Sequence, residues 1–99
     1  MTLSPLQPGD RVTRNAKVVS RWLGEEEGAV LLHLESGQYY GLNRMGWVIW
    51  NLLEDPRTFG DLVDDVRKQV EDPPLELEAE VGTFLDSLHA RHLVEIEPA

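Results

Sequence analysis

Cysteine is absent from this 99-residue chain, which excludes a disulfide framework, a thiolate metal site and a cysteine nucleophile together. Long apolar runs are missing too: no stretch approaches the ~20 residues that a membrane helix needs. The opening MTLSPLQPGDR lacks the basic-then-apolar order of a signal peptide. No glycine pattern resembles a phosphate cradle, and Ser20, Ser36 and Ser87 stand in no nucleophile-elbow context. Positive charge is scarce. Nine Lys and Arg face eighteen Asp and Glu, a net charge of −9. The imbalance lies beyond Leu53, where Arg57, Arg67, Lys68 and Arg91 are the only bases among thirteen acids. Nucleic-acid binding draws most of its affinity from Lys and Arg on phosphates, so a second half this acidic would repel a duplex. The expectation is a cytoplasmic domain with neither nucleic-acid nor membrane partners. Its acids either solvate one face or attract a basic peptide.

Hydrophobic residues make up 41% of the chain and charged residues 27%, a globular balance in a length that fits one domain. Residues 1–10 hold two prolines and a glycine without periodicity and read as a flexible lead-in, leaving 11–97 as the domain. Between Arg11 and Leu23, Val12, Val18, Val19 and Trp22 anchor short β-prone stretches. The Gly24-Glu25-Glu26-Glu27-Gly28 segment is a turn, since glycine permits positive φ and three like charges resist burial. Ala29 to Leu34 reads as a strand buried on at least one face. Ser36-Gly37 turns again into Gln38-Tyr39-Tyr40-Gly41-Leu42, an aromatic, β-favouring third strand.

After Asn43 the period changes to that of a helix. Asn43 is a natural N-cap, and Gly46, Ile49, Trp50 and Leu53 share one helical face. Pro56 ends that helix. Thr58 caps the next, with Asp61 three residues on and a stripe of Phe59, Leu62, Val63, Val66 and Val70. Asp72-Pro73-Pro74 breaks the chain. Leu77, Val81, Leu85 and Leu88 mark a third helix, and Leu93, Val94 and Ile96 a short closing extension packed on the bundle. The predicted order is β-β-β-α-α-α, an α+β domain with an N-terminal three-stranded antiparallel sheet followed by three helices.

Chemistry is sparse in this sequence. His89 and His92, spaced i, i+3 on the third helix, are too few for a zinc site, which takes three or four ligands; no metal, cofactor or catalytic residue is assigned. A winged helix-turn-helix reader of DNA has this arrangement of elements, but its recognition helix needs Arg, Lys, Asn or Gln. Here the third helix offers Glu76, Glu78, Glu80 and Asp86, with Arg91 near its end. An acidic winged-helix transcription factor is the alternative from another class. The third strand says more. Tyr39 and Tyr40 point to opposite sides of the sheet, either as packing or as binding groups. Gly41 exposes backbone, a mark of close approach by another chain, and an edge strand there offers unpaired N–H and C=O groups. Gly82, in mid-helix, is either a groove wall or a packing contact. Trp47 lies off the buried face of its helix and is either an interface anchor or a ring covered by the N-terminal strand.

Gly37, Tyr39, Tyr40, Leu42 and Asn43, followed by Gly46, Ile49 and Trp50, Leu52-Leu53 and the Pro56–Thr58 helix start, resemble the PqqD-like family. The resemblance runs from Ala16 to Val94. That family takes its name from coenzyme PQQ synthesis protein D, and its domains are recognition elements in the biosynthesis of ribosomally made, modified peptides. The resemblance implies a winged-helix-like fold in which a precursor's leader peptide docks as an added strand on the third strand, in a groove facing the third helix. Gln38, Tyr39, Tyr40, Gly41 and Leu42 would supply pairing and pocket walls. Glu80, Val81, Phe84, Leu85 and Leu88 would supply the opposite wall, unless Val81, Leu85 and Leu88 are core. Glu80 and Asp86 would steer basic leader residues. Two departures stand out: Trp47, where small residues are usual, and Pro73-Pro74 ahead of the third helix. A free-standing domain of this length resembles the leader-recognition protein of lasso-peptide systems, whose partners are a leader protease and a cyclase. A chaperone of the PQQ type, serving a radical enzyme, is the alternative within the class.

Overall fold

Asn15 divides the first β-prone stretch into two strands that join different sheets. Its Oδ1 accepts the Lys17 N–H at 2.8 Å and its carbonyl accepts the Val18 N–H at 3.1 Å, a local turn in which an Asn side chain replaces a backbone partner. The turn separates β1 (Arg11–Arg14) from β2 (Val18–Gly24). The computed structural model describes residues 6–99. Within it, Gly24 and Gly28, at φ +126° and +75°, close the glutamate turn into β3 (Gly28–His33). Gly37, at φ +75°, completes the next turn into β4 (Tyr39–Leu42). The strand expected as third in the chain is therefore fourth. Gly28 admits no side chain, because a Cβ there would stand 2.2 Å from the Leu42 carbonyl oxygen. The β3–β4 turn is also braced from within by His33, a buried ring whose Nδ1 accepts the N–H groups of Glu35 and Ser36 at 3.2 and 3.3 Å.

The expected caps form. Asn43 Oδ1 accepts the Gly46 N–H at 2.8 Å and opens α1 (Arg44–Leu52). Thr58 Oγ1 accepts the Asp61 N–H at 3.2 Å and opens α2 (Phe59–Gln69), whose last turn carries Arg67 and Lys68 against the helix dipole. After the prolines, α3 (Leu77–Ala90) begins without a side-chain cap. It ends ahead of His92, which turns at φ +62°. His89 and His92 therefore do not share a helical face.

The closing segment departs from expectation. It is a strand, β6 (Val94–Glu97), that pairs antiparallel with β1, Val12 opposite Ile96 and Arg14 opposite Val94. On its other side β1 meets β5 (Arg57–Thr58). Alternation of Val94 and Ile96 with Glu95 and Glu97 carries the period of two that a strand requires. Among the described residues the strands thus form two three-stranded sheets, β5-β1-β6 and β2-β3-β4, and the α+β class holds. The core between them and the helices is filled by Trp50, Leu31, Ile49, Leu53, Leu62, Leu77, Leu85 and Leu88. Arg14 caps one side of it. Its guanidinium lies 4.6 Å from the Trp50 ring centroid and donates to the Trp50 carbonyl. Burial pulls this guanidinium below its ordinary range, against the opposing pull of Glu54.

Residues 1–5 of the expected lead-in lie outside the described residues. Gln7 to Asp10 form a hydrogen-bonded turn: the Asp10 carboxylate accepts the N–H groups of Gln7 and Ala99, and the Asp10 carbonyl accepts that of Phe59.

Candidate peptide-binding groove

β4 is an edge strand: its sheet runs β2-β3-β4 and nothing among the described residues pairs beyond it. The bond from the His33 N–H to the Gln38 carbonyl, 3.0 Å, sets the phase of the ladder. In an antiparallel pair, residues that bond their partner alternate with residues whose N–H and C=O both turn away. With Leu31 opposite Tyr40 and Ala29 opposite Leu42, Tyr40 and Leu42 address β3. The N–H and C=O groups of Tyr39 and Gly41 face outward along the free edge.

Side chains divide between the two faces. Leu42 is buried and Tyr40 half-buried, on the face that carries Leu31 and His33. Tyr39 is 71% exposed on the opposite face, and a Cβ at Gly41 would meet nothing within 4 Å. The outer face also exposes Val19, and Leu34 stands exposed in the turn that follows β3.

α3 stands across from the β4 edge. Its core stripe is Leu77, Val81, Leu85 and Leu88. The positions one step back, Glu80, Phe84 and Ser87, flank that stripe and line the groove with Tyr40, Ala79 and Thr83, around a volume of about 470 Å³. Tyr40 spans the gap. Its hydroxyl lies 3.0 Å from the Ser87 Oγ, and the Arg91 guanidinium sits 4.9 Å from its ring centroid. A smaller apolar recess of about 140 Å³ continues the groove between Met45, Gly46, Ile49, Leu77, Val81 and Phe84. Gly46 makes that recess possible, since a Cβ there would come within 3.2 Å of the Phe84 ring. Beyond Tyr40 the cleft opens between Gln38, Ser36, Arg91 and His92. Charge therefore runs from Glu80 at one end to Arg91 at the other, eleven helical residues or about 16 Å apart.

Most of the expected site residues meet here, with some redistribution. Tyr40, Glu80 and Phe84 line the groove, Gln38 its open end, and Val81 the floor of the recess. Tyr39 and Gly41 contribute edge backbone, their side-chain positions lying on the outer face. Leu42, Leu85 and Leu88 are buried behind the groove as core. Asp86 and Gly82 face a different cleft, on the other flank of α3. Trp47 is half-buried and stacked on Trp22 of β2, ring centroids 5.7 Å apart, so part of the ring is covered by that strand. Reasoning from sequence missed Ser87, Thr83, Met45 and Arg91. Ser87 and Arg91 were findable at i+7 and i+11 from Glu80. Among the described residues no three His, Asp or Glu side chains gather as a metal site would require.

Residues 28–94 match the family model for coenzyme PQQ synthesis protein D. The chain belongs to the PqqD family. Among solved structures this PqqD-family domain is similar to TbiB1 in complex with the TbiA(beta) leader peptide. The two are 31% identical with a TM-score of 0.71, over 84% of this chain and 94% of that one. A lasso peptide synthetase B1 complexed with the leader peptide, 20% identical, has the same fold, with a TM-score of 0.69 over 85% of this chain and 96% of the other. No curated protein sequence matches. No helix among the described residues of this PqqD-family domain is long and apolar enough to cross a membrane.

Proposed function

We propose that this domain is a non-catalytic module of lasso-peptide biosynthesis that binds the leader segment of a ribosomally made precursor as an added strand on β4. The observation that carries the reading is the free edge of β4, with the N–H and C=O groups of Tyr39 and Gly41 turned toward a groove walled by α3. Main-chain bonds to those groups supply affinity indifferent to sequence, while pockets for alternate side chains supply selectivity. Guest side chains on one face would enter the groove against Tyr40 and Phe84. Those on the other would lie beside Tyr39 and over the open space at Gly41. Glu80 and Arg91, at opposite ends, favour one direction of the guest, and the acidic second half speeds the approach of basic leaders. The solved relatives hold leader peptides, which supports the same use here.

The outer face serves delivery. Val19 and Tyr39 present exposed apolar surface there, and a guest strand would extend it by its own outward side chains. A leader protease, and a cyclase after it, would dock on protein and peptide together, in the cytoplasm where the precursor is made. Chemistry then belongs to those enzymes, and this domain sets which peptide they meet.

Isothermal titration with the cognate leader tests the reading through Gly41→Pro. The Gly41 N–H lies outside the β3 ladder, so proline removes a donor that only the guest uses. Circular dichroism of the variant should match the parent, while affinity drops by about tenfold or more. A folded Gly41→Pro protein that binds as tightly as the parent would overturn strand addition at β4.

A further inference from the structure

α3 has a second flank, and a cleft of about 490 Å³ opens along it, as large as the main part of the β4 groove. We infer that this cleft is a second docking site, for a segment of a partner protein that carries one bulky apolar side chain between lysines or arginines. The inference goes beyond leader recognition and does not depend on it.

Three features of the cleft point to such an occupant. Its floor is apolar and open: Phe59, Ala79 and Gly82 form it, beside Leu6. A Cβ at Gly82 would lie 3.6 Å from the Phe59 ring, an ordinary contact. Alanine would fit, and would recover the roughly 1 kcal/mol that a mid-helix glycine forgoes. Packing therefore does not require this glycine; its effect is to leave the floor clear. At the mouth stands Leu75, 99% exposed on the loop after the two prolines, a large apolar side chain with no cover among the described residues.

The rim fixes the charge of the partner. Glu76, Glu78 and Asp86 surround the mouth, no Lys or Arg lines it, and none of the three acids makes an ion pair among the described residues. An apolar anchor flanked by bases would bury against Phe59 while its charges meet the rim, which speeds encounter and excludes acidic competitors. Ala79 and Thr83 line both this cleft and the β4 groove, so they form the ridge between them. A partner segment and a guest strand could occupy the two flanks of α3 together.

The test is an NMR titration of the full chain with a synthetic Gly-Lys-Arg-Phe-Arg-Lys-Gly peptide, against twins carrying Ser for Phe or Glu for every base. Saturable shifts at the amides of Leu75, Gly82 and Asp86, given by neither twin, are expected. Gly82→Leu, which fills the floor, should weaken the peptide about tenfold, the worth of one buried apolar side chain. Leu75→Ser, at a fully exposed position, should weaken it without disturbing the fold. Leader affinity should stay unchanged in both variants, which separates this site from the β4 groove. Shifts spread over the whole acidic surface and indifferent to both variants would overturn the inference. So would binding that appears only after residues 1–5 are removed, which would make the chain's own N-terminal segment the occupant. Dimerisation abolished by Gly82→Leu would overturn it as well, by assigning the cleft to a second copy.

Discussion

The two sheets of this domain are equal in strand number and opposite in origin. β2, β3 and β4 follow one another through two turns, and their paired residues lie no further apart in sequence than Val18 and His33. The β5-β1-β6 sheet draws its strands from the beginning, middle and end of the domain, with Arg11 opposite both Thr58 and Glu97. Its middle strand is paired on both sides, and its Val12 is wholly buried. β3 is likewise paired on both sides, but the local sheet alone sets an outer strand, β4, beside a groove and exposes Val19 and Tyr39 on its outer face. The proposed binding edge thus belongs to the sheet that forms from nearby contacts, while the other sheet must close long loops. The division predicts that stability and the proposed binding at β4 are separable by mutation.

Gly28→Ala is expected to have the largest effect, because it strikes the local sheet where it meets the rest of the fold. The substitution puts a side chain at φ +75° and a Cβ 2.2 Å from the Leu42 carbonyl oxygen. Urea unfolding should show a loss of about 3 kcal/mol, with leader affinity falling in parallel as β4 shifts. Val12→Ala comes next and sharpens the comparison. A truncated side chain at the centre of the non-local sheet should lower stability by about 2 kcal/mol while a leader titration at low temperature stays unchanged. A matching loss of affinity would show that the two sheets are coupled after all. The smallest expected effect is that of Tyr40→Phe, which removes the bond to Ser87 and about 1 kcal/mol of stability. A double-mutant cycle with Ser87→Ala measures that bond directly.

What could be read from the sequence follows the same division. The hairpins announced themselves through Gly24, Gly28 and Gly37, and the helices through Asn43, Thr58 and Pro56, since turns and caps are decided by residues within a few positions of one another. The second sheet was not legible. β5 has two residues and β6 four, too few for their period to stand out, and nothing local tells Val12 that Ile96 will lie opposite. Asn15 hid a strand break because its side chain acts as the missing backbone partner. At the groove, the edge strand was readable from Tyr39, Tyr40 and Gly41. Of the expected helix wall, Glu80 and Phe84 line the groove and Val81 its recess, whereas Leu85 and Leu88 belong to the core stripe that apolar periodicity finds. Gly82 faces Phe59 and lies outside the β4 groove, because a glycine advertises open space without saying on which side of a helix it lies.

The hydrogen bond between Asp10 and the Ala99 amide brings the segment just ahead of β1 beside Ala99, close enough that a Cβ on Gly9 would stand 2.9 Å from the methyl of Ala99. Neither residue borders the β4 groove. A polypeptide that entered at Gly9 and left at Ala99 would do so at a single point on the domain's surface. The unit is therefore suited to being carried as a cassette, inserted into a loop of an enzyme or spliced to its terminus with no long tether.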